Sequence, residues 1–145
     1  MSTEDLLRGA GLRVTRQRIA VLQVLESNPH VDVAFVTSAV RAELGAVSTQ
    51  AVYDILAALG DAGLVRKIEP GSAALFELGG DGHQHAICRG CDAVADVPGD
   101  SVRILPGVPV VLDFVVDEID VTLWGKCRTC AESGRKNRSE SGREK

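Results

Sequence analysis

Long hydrophobic runs are absent from this chain of 145 residues. Hydrophobic residues make up 45% of it, yet no apolar segment approaches the ~18 residues that a membrane-spanning helix requires. The first residues, Met-Ser-Thr-Glu-Asp, are acidic and lack the basic and apolar regions of a secretory signal. We therefore expect a soluble protein that stays in the cytoplasm and has no contact with membranes.

Common catalytic motifs are absent too. The chain contains neither a G-x-S-x-G nor a Walker A motif. His83-Gln84-His85 also lacks the glutamate that the H-x-E motif of zinc deaminases requires. We therefore expect no enzymatic activity.

Positive charge is not in excess, because the formal net charge is -4. The charge is unevenly spread, however, since residues 68–130 hold four basic and ten acidic side chains. Arg8, Arg13, Arg16 and Arg18 fall within eleven residues that contain no carboxylate. This segment is a candidate for binding DNA phosphates. A solvated arginine surface is an equally good interpretation of the segment taken alone.

Three helices followed by a β-hairpin are predicted for the first half of the chain. Thr15, Asp32 and Ser48 each precede apolar residues at helical spacing and are suitable N-caps. The apolar segments 64–68 and 73–78 are separated by a turn sequence that is typical of a hairpin. This order predicts a winged helix-turn-helix, whose third helix enters the major groove of DNA. Short helical domains have many other uses, so the pattern alone does not establish DNA binding.

The second half of the chain changes character. Short apolar segments within 86–97 and 119–123 are typical of strands, and the prolines and glycines between them leave room only for short helices. The last fifteen residues contain almost nothing apolar and are predicted to be disordered. We therefore predict an α+β protein with a winged-helix domain at 1–78, a small α/β dimerisation domain at 79–130 and a disordered tail at 131–145.

Four cysteines form two CxxC pairs, Cys88 with Cys91 and Cys127 with Cys130. Thiols stay reduced in the cytoplasm, which favours metal ligation over disulfides. Four thiolates with no open position suit a structural zinc ion that adds folding energy to a small domain. A thioredoxin-like redox pair is the competing interpretation, but it needs a βαβ context and normally a single CxxC.

Two histidines precede the first CxxC pair. His83 and His85 are two residues apart, so in a strand both imidazoles point to the same face. Glu77 and Asp96, which we expect on neighbouring strands, could add carboxylate oxygens. Such a mixed set of nitrogen and oxygen ligands suits Fe²⁺, Mn²⁺ or Zn²⁺.

Several motifs together resemble the ferric uptake regulator family over residues 5–130. They agree with that family in order and in spacing. The matching segments are Gly11-Leu-Arg-Val-Thr-Arg-Gln-Arg18, Val47-Ser-Thr-Gln-Ala-Val-Tyr-Asp-Ile-Leu56, Ala62-Gly-Leu-Val65, His83-Gln-His-Ala-Ile-Cys88 with Cys91, Asp96, and Gly125-Lys-Cys127 with Cys130.

The resemblance implies a homodimer that binds an AT-rich palindromic DNA operator when a regulatory metal is present. It places structural zinc on the four cysteines and Fe²⁺ or Mn²⁺ on Glu77, His83, His85 and Asp96. A further histidine is implied near position 28, where this chain has asparagine, and we expect His30 to replace it. A third metal site implied near 117–118 has no histidine here and should be absent or weak. The implied DNA contacts are Arg13, Arg16, Arg18, Ser48, Thr49, Gln50 and Tyr53.

Within the family, Asp96 and the tryptophan-bearing segment 123–127 are most similar to the actinobacterial FurA and PerR-like branch. This branch implies an oxidative-stress repressor that controls a catalase-peroxidase gene and its own gene, with His83 or His85 as the target of peroxide oxidation. An iron-homeostasis or zinc-responsive repressor, and a thiol switch at Cys88 and Cys91, are the alternatives. A zinc-ribbon interaction module without DNA binding is a fourth interpretation, of a different class.

Overall fold

The computed structural model describes residues 1–80, 82–101, 113–115 and 119–134. The chain separates into two compact units, Met1–Asp81 and Gly82–Lys145. This division falls three residues beyond the predicted boundary at 78/79. None of the described helices has both the length and the apolar character that crossing a bilayer demands.

The first unit is a helical domain that ends in a β-hairpin, as the winged-helix prediction requires. The antiparallel hairpin pairs Val65 with Leu78 and Ile68 with Leu75. Its elements are α1 (Thr3–Gly9), α2 (Arg16–Ser27), α3 (Val33–Leu44), α4 (Thr49–Asp61), β1 (Val65–Ile68) and β2 (Leu75–Leu78). Helix α1 is additional to the three predicted helices, and it begins with a capping box between Ser2 and Asp5.

The three predicted N-caps are confirmed. The side chains of Thr15, Asp32 and Ser48 each accept a hydrogen bond from the backbone N–H three residues ahead, at 3.2, 2.8 and 3.0 Å. Each cap satisfies a backbone donor that the helix leaves without an internal partner. Local sequence chemistry therefore fixes where α2, α3 and α4 begin.

The core of the first unit is aliphatic. Helix α4 buries its apolar face and leaves the opposite face open to solvent, and Phe76 of β2 joins the same core. The residues of α4 that are buried are Val52, Ile55, Leu56 and Leu59. This packing fixes α4 against α2 and α3, so the exposed face of α4 is rigidly presented.

In the described residues of the second unit, strand β3 (Gln84–Cys88) pairs antiparallel with β4 (Val94–Val97) and parallel with β5 (Thr122–Gly125). These described strands form a sheet in the order β4–β3–β5. A short 3-10 turn, Gly99–Ser101, follows β4, and helix α5 (Arg128–Ser133) follows β5. Helix α5 continues past Cys130, so the first residues of the predicted disordered tail are helical. The remainder, 135–145, and the third metal site expected near 117–118 lie outside the described residues.

The expectation that Glu77 and Asp96 lie on neighbouring strands is wrong. Glu77 is on β2 and faces Arg66 in the hairpin of the first unit. Asp96 is on β4 and faces His85 in the sheet of the second unit. The two carboxylates therefore belong to different sheets.

Candidate metal sites and nucleic-acid interface

The four cysteines come together in the second unit, as predicted. Cys88 ends β3 and Cys91 lies in the turn toward β4, while Cys127 caps α5 and Cys130 lies in its first turn. Their sulfur atoms lie within 4.8 Å of one another. All four are free thiols, and Cys88 and Cys130 are buried. Four sulfur atoms that converge in this way are the donor set of a closed zinc site.

Backbone N–H groups point at the sulfur atoms of this cluster. Cys88 Sγ accepts from the N–H of Cys127 at 3.2 Å and from that of Gly90 at 3.3 Å. The hydrogen bond from Cys127 is the main cause that lowers the pKa of Cys88 to about 6, whereas burial is the main cause that raises the pKa of Cys130 to about 12. Metal ligation requires thiolates. Cys88 therefore loses its proton readily and is suited to bind a cation, whereas zinc binding at Cys130 must displace a proton from the thiol.

Gly90 lies at the centre of the first CxxC turn, where there is no room for a side chain. A Cβ atom at this position would lie 3.0 Å from both the Cβ and the Sγ of Cys130. The turn connects two antiparallel strands, so Cys88 and Cys91 lack the βαβ context of a thioredoxin-like pair. The local structure therefore favours metal ligation over redox exchange at this pair.

His83, His85 and Asp96 converge in the second unit. The two imidazole Nε2 atoms lie 3.0 Å apart, with the rings edge to face. Asp96 Oδ1 lies 3.3 Å from His83 Nε2 and 3.7 Å from His85 Nε2. His85 is 2% exposed, and the β3–β4 register places Asp96 opposite it. Two ring nitrogens and a carboxylate oxygen that meet at one point form a suitable partial ligand set for a divalent cation.

His30 and Glu77 form a second pair, in the first unit. His30 Nε2 lies 2.9 Å from Glu77 Oε2, and Glu77 is 2% exposed. An antiparallel bridge between Val31 and Phe76, with hydrogen bonds of 3.2 and 2.8 Å, holds the chain beside β2. His30 takes a left-handed backbone conformation with φ of 59°, which histidine adopts more readily than most residues. This backbone geometry places His30 next to Glu77.

Asn28, where a histidine was implied, has a different role. Its backbone N–H and its side-chain Nδ2 both donate to the carbonyl of Val24, each at 3.0 Å, and so close the end of α2.

Sequence reasoning missed Arg66, whose Nη1 lies 3.7 Å from Glu77 Oε1. The alternation of apolar and polar residues along β1 could have indicated this contact, because Arg66 and Glu77 lie opposite each other in the hairpin.

The start of α4 presents the polar residues predicted to contact DNA. Ser48, Thr49 and Gln50 are exposed, and Tyr53 is 47% exposed. A core role for Tyr53 is therefore excluded. Gln50 Nε2 donates to Asp54 Oδ1 at 2.9 Å on the same face. The exposed hydroxyl, amide and phenol groups are all suited to base edges in the major groove.

The arginines near α2 do not all have the same role. Arg13 and Arg16 are exposed, whereas Arg18 is half-buried and donates from Nη1 to the carbonyl of Arg13 at 2.8 Å. Arg18 therefore supports the segment that carries Arg13.

Sequence reasoning also missed Arg41 on α3, whose Nε donates to the carbonyl of Val47 at 2.8 Å. This bond fixes the backbone just before the N-cap of α4.

Comparison with known proteins agrees with this arrangement. The transcriptional regulator FurA of Mycobacterium tuberculosis is 47% identical over 133 residues, which cover 89% of this chain and 90% of that protein. The peroxide-responsive repressor PerR of Staphylococcus epidermidis is 30% identical over 133 residues, which cover 88% and 87%. The structure of the ferric uptake regulator from Pseudomonas aeruginosa with manganese superposes with a TM-score of 0.68 at 26% identity, covering 88% of this chain and 99% of that one. These relatives are regulators and not enzymes.

The match to a family model extends across both units. Residues 9–106 match the model of the ferric uptake regulator family, from the segment before α2 to beyond the first CxxC pair. The matched range includes the capped helix α4, His30, Glu77, His83, His85 and Asp96. On this evidence the chain belongs to the ferric uptake regulator family of metal-responsive transcriptional regulators.

Proposed function

We propose that this protein is a metal-dependent repressor that binds operator DNA as a homodimer and releases it when peroxide oxidises its regulatory metal site. The observation that carries the proposal is the convergence of His83 and His85 on Asp96, with the ring nitrogens 3.0 Å apart. An AT-rich palindromic operator, and control of a catalase-peroxidase gene and of its own gene, are further parts of the proposal. They follow from the family resemblance.

Structural zinc at the four cysteines is the first part of the mechanism. Cys88 ends β3 and Cys127 follows the parallel strand β5, so one ion bound by both pairs would hold the ends of these strands together. Parallel strands need a long connection, and their pairing is slightly less stable per residue than antiparallel pairing. The zinc site therefore has a folding role, with no open coordination position for a reaction.

A regulatory ion is the second part. We propose His30, Glu77, His83, His85 and Asp96 as its ligands, the set that the family resemblance implies with His30 in place of the expected histidine. Three imidazoles and two carboxylates suit Fe²⁺ or Mn²⁺ better than they suit a soft metal. We propose that occupancy of this site strengthens operator binding. By linkage, operator DNA then strengthens metal binding by the same factor as metal strengthens operator binding.

Peroxide sensing is the third part. Fe²⁺, when bound, supplies the electrons that reduce peroxide, whereas Mn²⁺ does so much less readily. The His83 and His85 rings lie with their centroids 4.8 Å apart and both contact Asp96. Both are proposed ligand side chains, so an oxidant generated at this site would form beside them. Oxidation of either ring removes a nitrogen ligand, which weakens metal binding and so releases the operator. The similarity to the peroxide-responsive repressor PerR supports this part.

The test compares Fe²⁺-loaded and Mn²⁺-loaded full-length protein. Binding to a fluorescent duplex from the region upstream of its own gene is measured before and after low-dose peroxide, while metal content and peptide masses are followed. We expect only the iron form to release the duplex, with a gain of about 16 Da, one oxygen atom, on the peptide that holds His83 and His85.

Other outcomes identify the alternatives. Retention of the duplex by both forms, with binding that depends only on iron concentration, would show an iron-homeostasis regulator. Zinc release with oxidised cysteines and unchanged histidines would show a thiol switch. Absence of metal-dependent binding to any duplex, for both metals, would overturn the repressor proposal itself.

A further inference from the structure

A carboxylate lies on the face of α4 that is proposed to meet DNA. Asp54 is exposed, next to Tyr53 and one helical turn after Gln50. A negative charge here repels the DNA phosphates, which costs binding energy. The structure shows what this carboxylate does instead: it accepts a hydrogen bond of 2.9 Å from Gln50 Nε2.

This hydrogen bond determines what Gln50 can offer to a base. A glutamine amide has two N–H donors and one carbonyl acceptor, whereas an ionised carboxylate can only accept. Asp54 therefore accepts from one of the two N–H donors of the amide. This bond holds the amide nitrogen on the side of Asp54 and so fixes the orientation of the amide group. Gln50 is left with one N–H donor and one carbonyl acceptor, both on the exposed face of α4.

One donor beside one acceptor is the pattern that complements adenine in the major groove. Adenine presents N7 as an acceptor and N6–H as a donor, and a glutamine pairs with both at once. Guanine presents two acceptors, N7 and O6. Gln50 held by Asp54 would meet guanine O6 with its own carbonyl oxygen. Without Asp54, the amide is free to turn and to direct an N–H donor at guanine N7 or O6.

We propose that Asp54 is a positioning residue that orients Gln50 to select adenine, and to reject guanine, at one position of the DNA sequence under α4. The inference rests on the proposed function, since it requires α4 to enter the major groove. Asp54 itself does not touch the base. Its contribution is selectivity, gained at the expense of the general attraction between the protein and the phosphates.

The experiment selects duplexes from a random-sequence DNA library with Mn²⁺-loaded full-length protein. Wild type, Gln50→Ala and Asp54→Asn are compared, and affinities are then measured for the selected duplex and for its variant with one A·T pair changed to G·C. We expect this change to weaken wild-type binding by about 5- to 150-fold, which is the discrimination of one bidentate contact. We call the affinity for the A·T duplex divided by the affinity for the G·C duplex the A-to-G ratio. For Gln50→Ala and Asp54→Asn this ratio should fall below about threefold, with base preferences at the other positions unchanged.

Matched controls separate positioning from charge. Asp61→Asn removes the same charge from an exposed position at the end of the same helix, so it should strengthen binding to both duplexes and leave the A-to-G ratio at the wild-type value. Asp54→Glu keeps a side chain that can only accept, whereas Asn can also donate to the Gln50 carbonyl, so Asp54→Glu should restore part of the ratio. The double variant Gln50→Ala with Asp54→Asn should discriminate no less than Gln50→Ala alone, because the two residues act through one contact.

Two results would overturn the inference. One is an A-to-G ratio for Asp54→Asn that equals the ratio for wild type. The other is a preference for adenine that Gln50→Ala retains. Asp54 and Gln50 are exposed, so circular dichroism melting should confirm that both variants fold like wild type. Failure of the wild type to select any sequence is a different result, which would count against the proposed function as a whole.

Discussion

Replacing Gly90 by alanine is expected to weaken zinc binding by about ten- to a hundredfold, an effect similar to that of losing a side chain that supports a metal ligand. The physical reason is space beside Cys130. The new Cβ would lie 3.0 Å from the Cβ and Sγ of Cys130, whereas carbon atoms in contact prefer about 3.5–4.0 Å. Either the turn or Cys130 must move by a few tenths of an ångström.

Zinc tolerates little of such movement. Zn–S distances lie near 2.3 Å, and a working site keeps its distances within about 0.2 Å of the ideal values. Overpacking in a dense region costs about 1–3 kcal/mol, and 1.4 kcal/mol corresponds to a factor of ten in an equilibrium constant. The steric argument and the expected loss of affinity therefore agree in magnitude.

Competition with a chromophoric zinc chelator measures the effect directly. The matched control is Gly125→Ala, because Gly125 is also next to the cysteine cluster, yet a Cβ there would have no neighbour within 4 Å. Gly125→Ala should keep wild-type zinc affinity. If Gly90→Ala retains wild-type affinity as well, or if both variants lose it equally, then the close contact with Cys130 is not what requires glycine at position 90.

Three other substitutions test other parts of the molecule. Arg41→Met should weaken operator binding by about tenfold or more, because it removes the charged hydrogen bond to the carbonyl of Val47, worth about 1.5–3 kcal/mol; the salt dependence of binding should not change, which distinguishes positioning from a phosphate contact. His30→Ala should weaken Mn²⁺ binding in isothermal titration calorimetry, whereas Asn28→Ala should lower only thermal stability, and the opposite pattern would show that His30 is no ligand. Leu59→Ala, at a fully buried position of α4, should lower the free energy of unfolding by about 2–5 kcal/mol in urea denaturation, and a loss below about 1 kcal/mol would contradict the core described for the first unit.

Local features of this protein could be predicted from its sequence. Thr15, Asp32 and Ser48 act as N-caps because a short polar side chain accepts from a backbone N–H three residues away, and no distant residue is needed for this. The buried face of α4 and the turn between β1 and β2 are equally local. Helix α1 was within reach of the same reasoning, since Ser2 and Asp5 form a capping box.

Features that depend on distant pairing could not be predicted in the same way. Glu77 and Asp96 both lie on strands, but which strands pair is decided by packing and not by the alternation of each strand. The sequence analysis predicted that His30 replaces a histidine at position 28. What places His30 beside Glu77 is the bridge between Val31 and Phe76, which joins residues distant in the sequence. The hydrogen bond from Arg41 to Val47 likewise depends on how α3 and α4 meet.

Strand β3 has a consequence for how the protein combines signals. This strand of five residues carries His85, a proposed sensor ligand, and ends at Cys88, a proposed zinc ligand, about 10 Å further along the strand. Damage to the thiolates would loosen the end of the strand on which the sensor imidazole is mounted. Oxidation of sulfur and oxidation of imidazole, which are chemically different, would then have the same effect on the regulator, and either one alone would be sufficient. A cell that uses such a regulator would respond to oxidants that attack thiols as well as to those that react at iron.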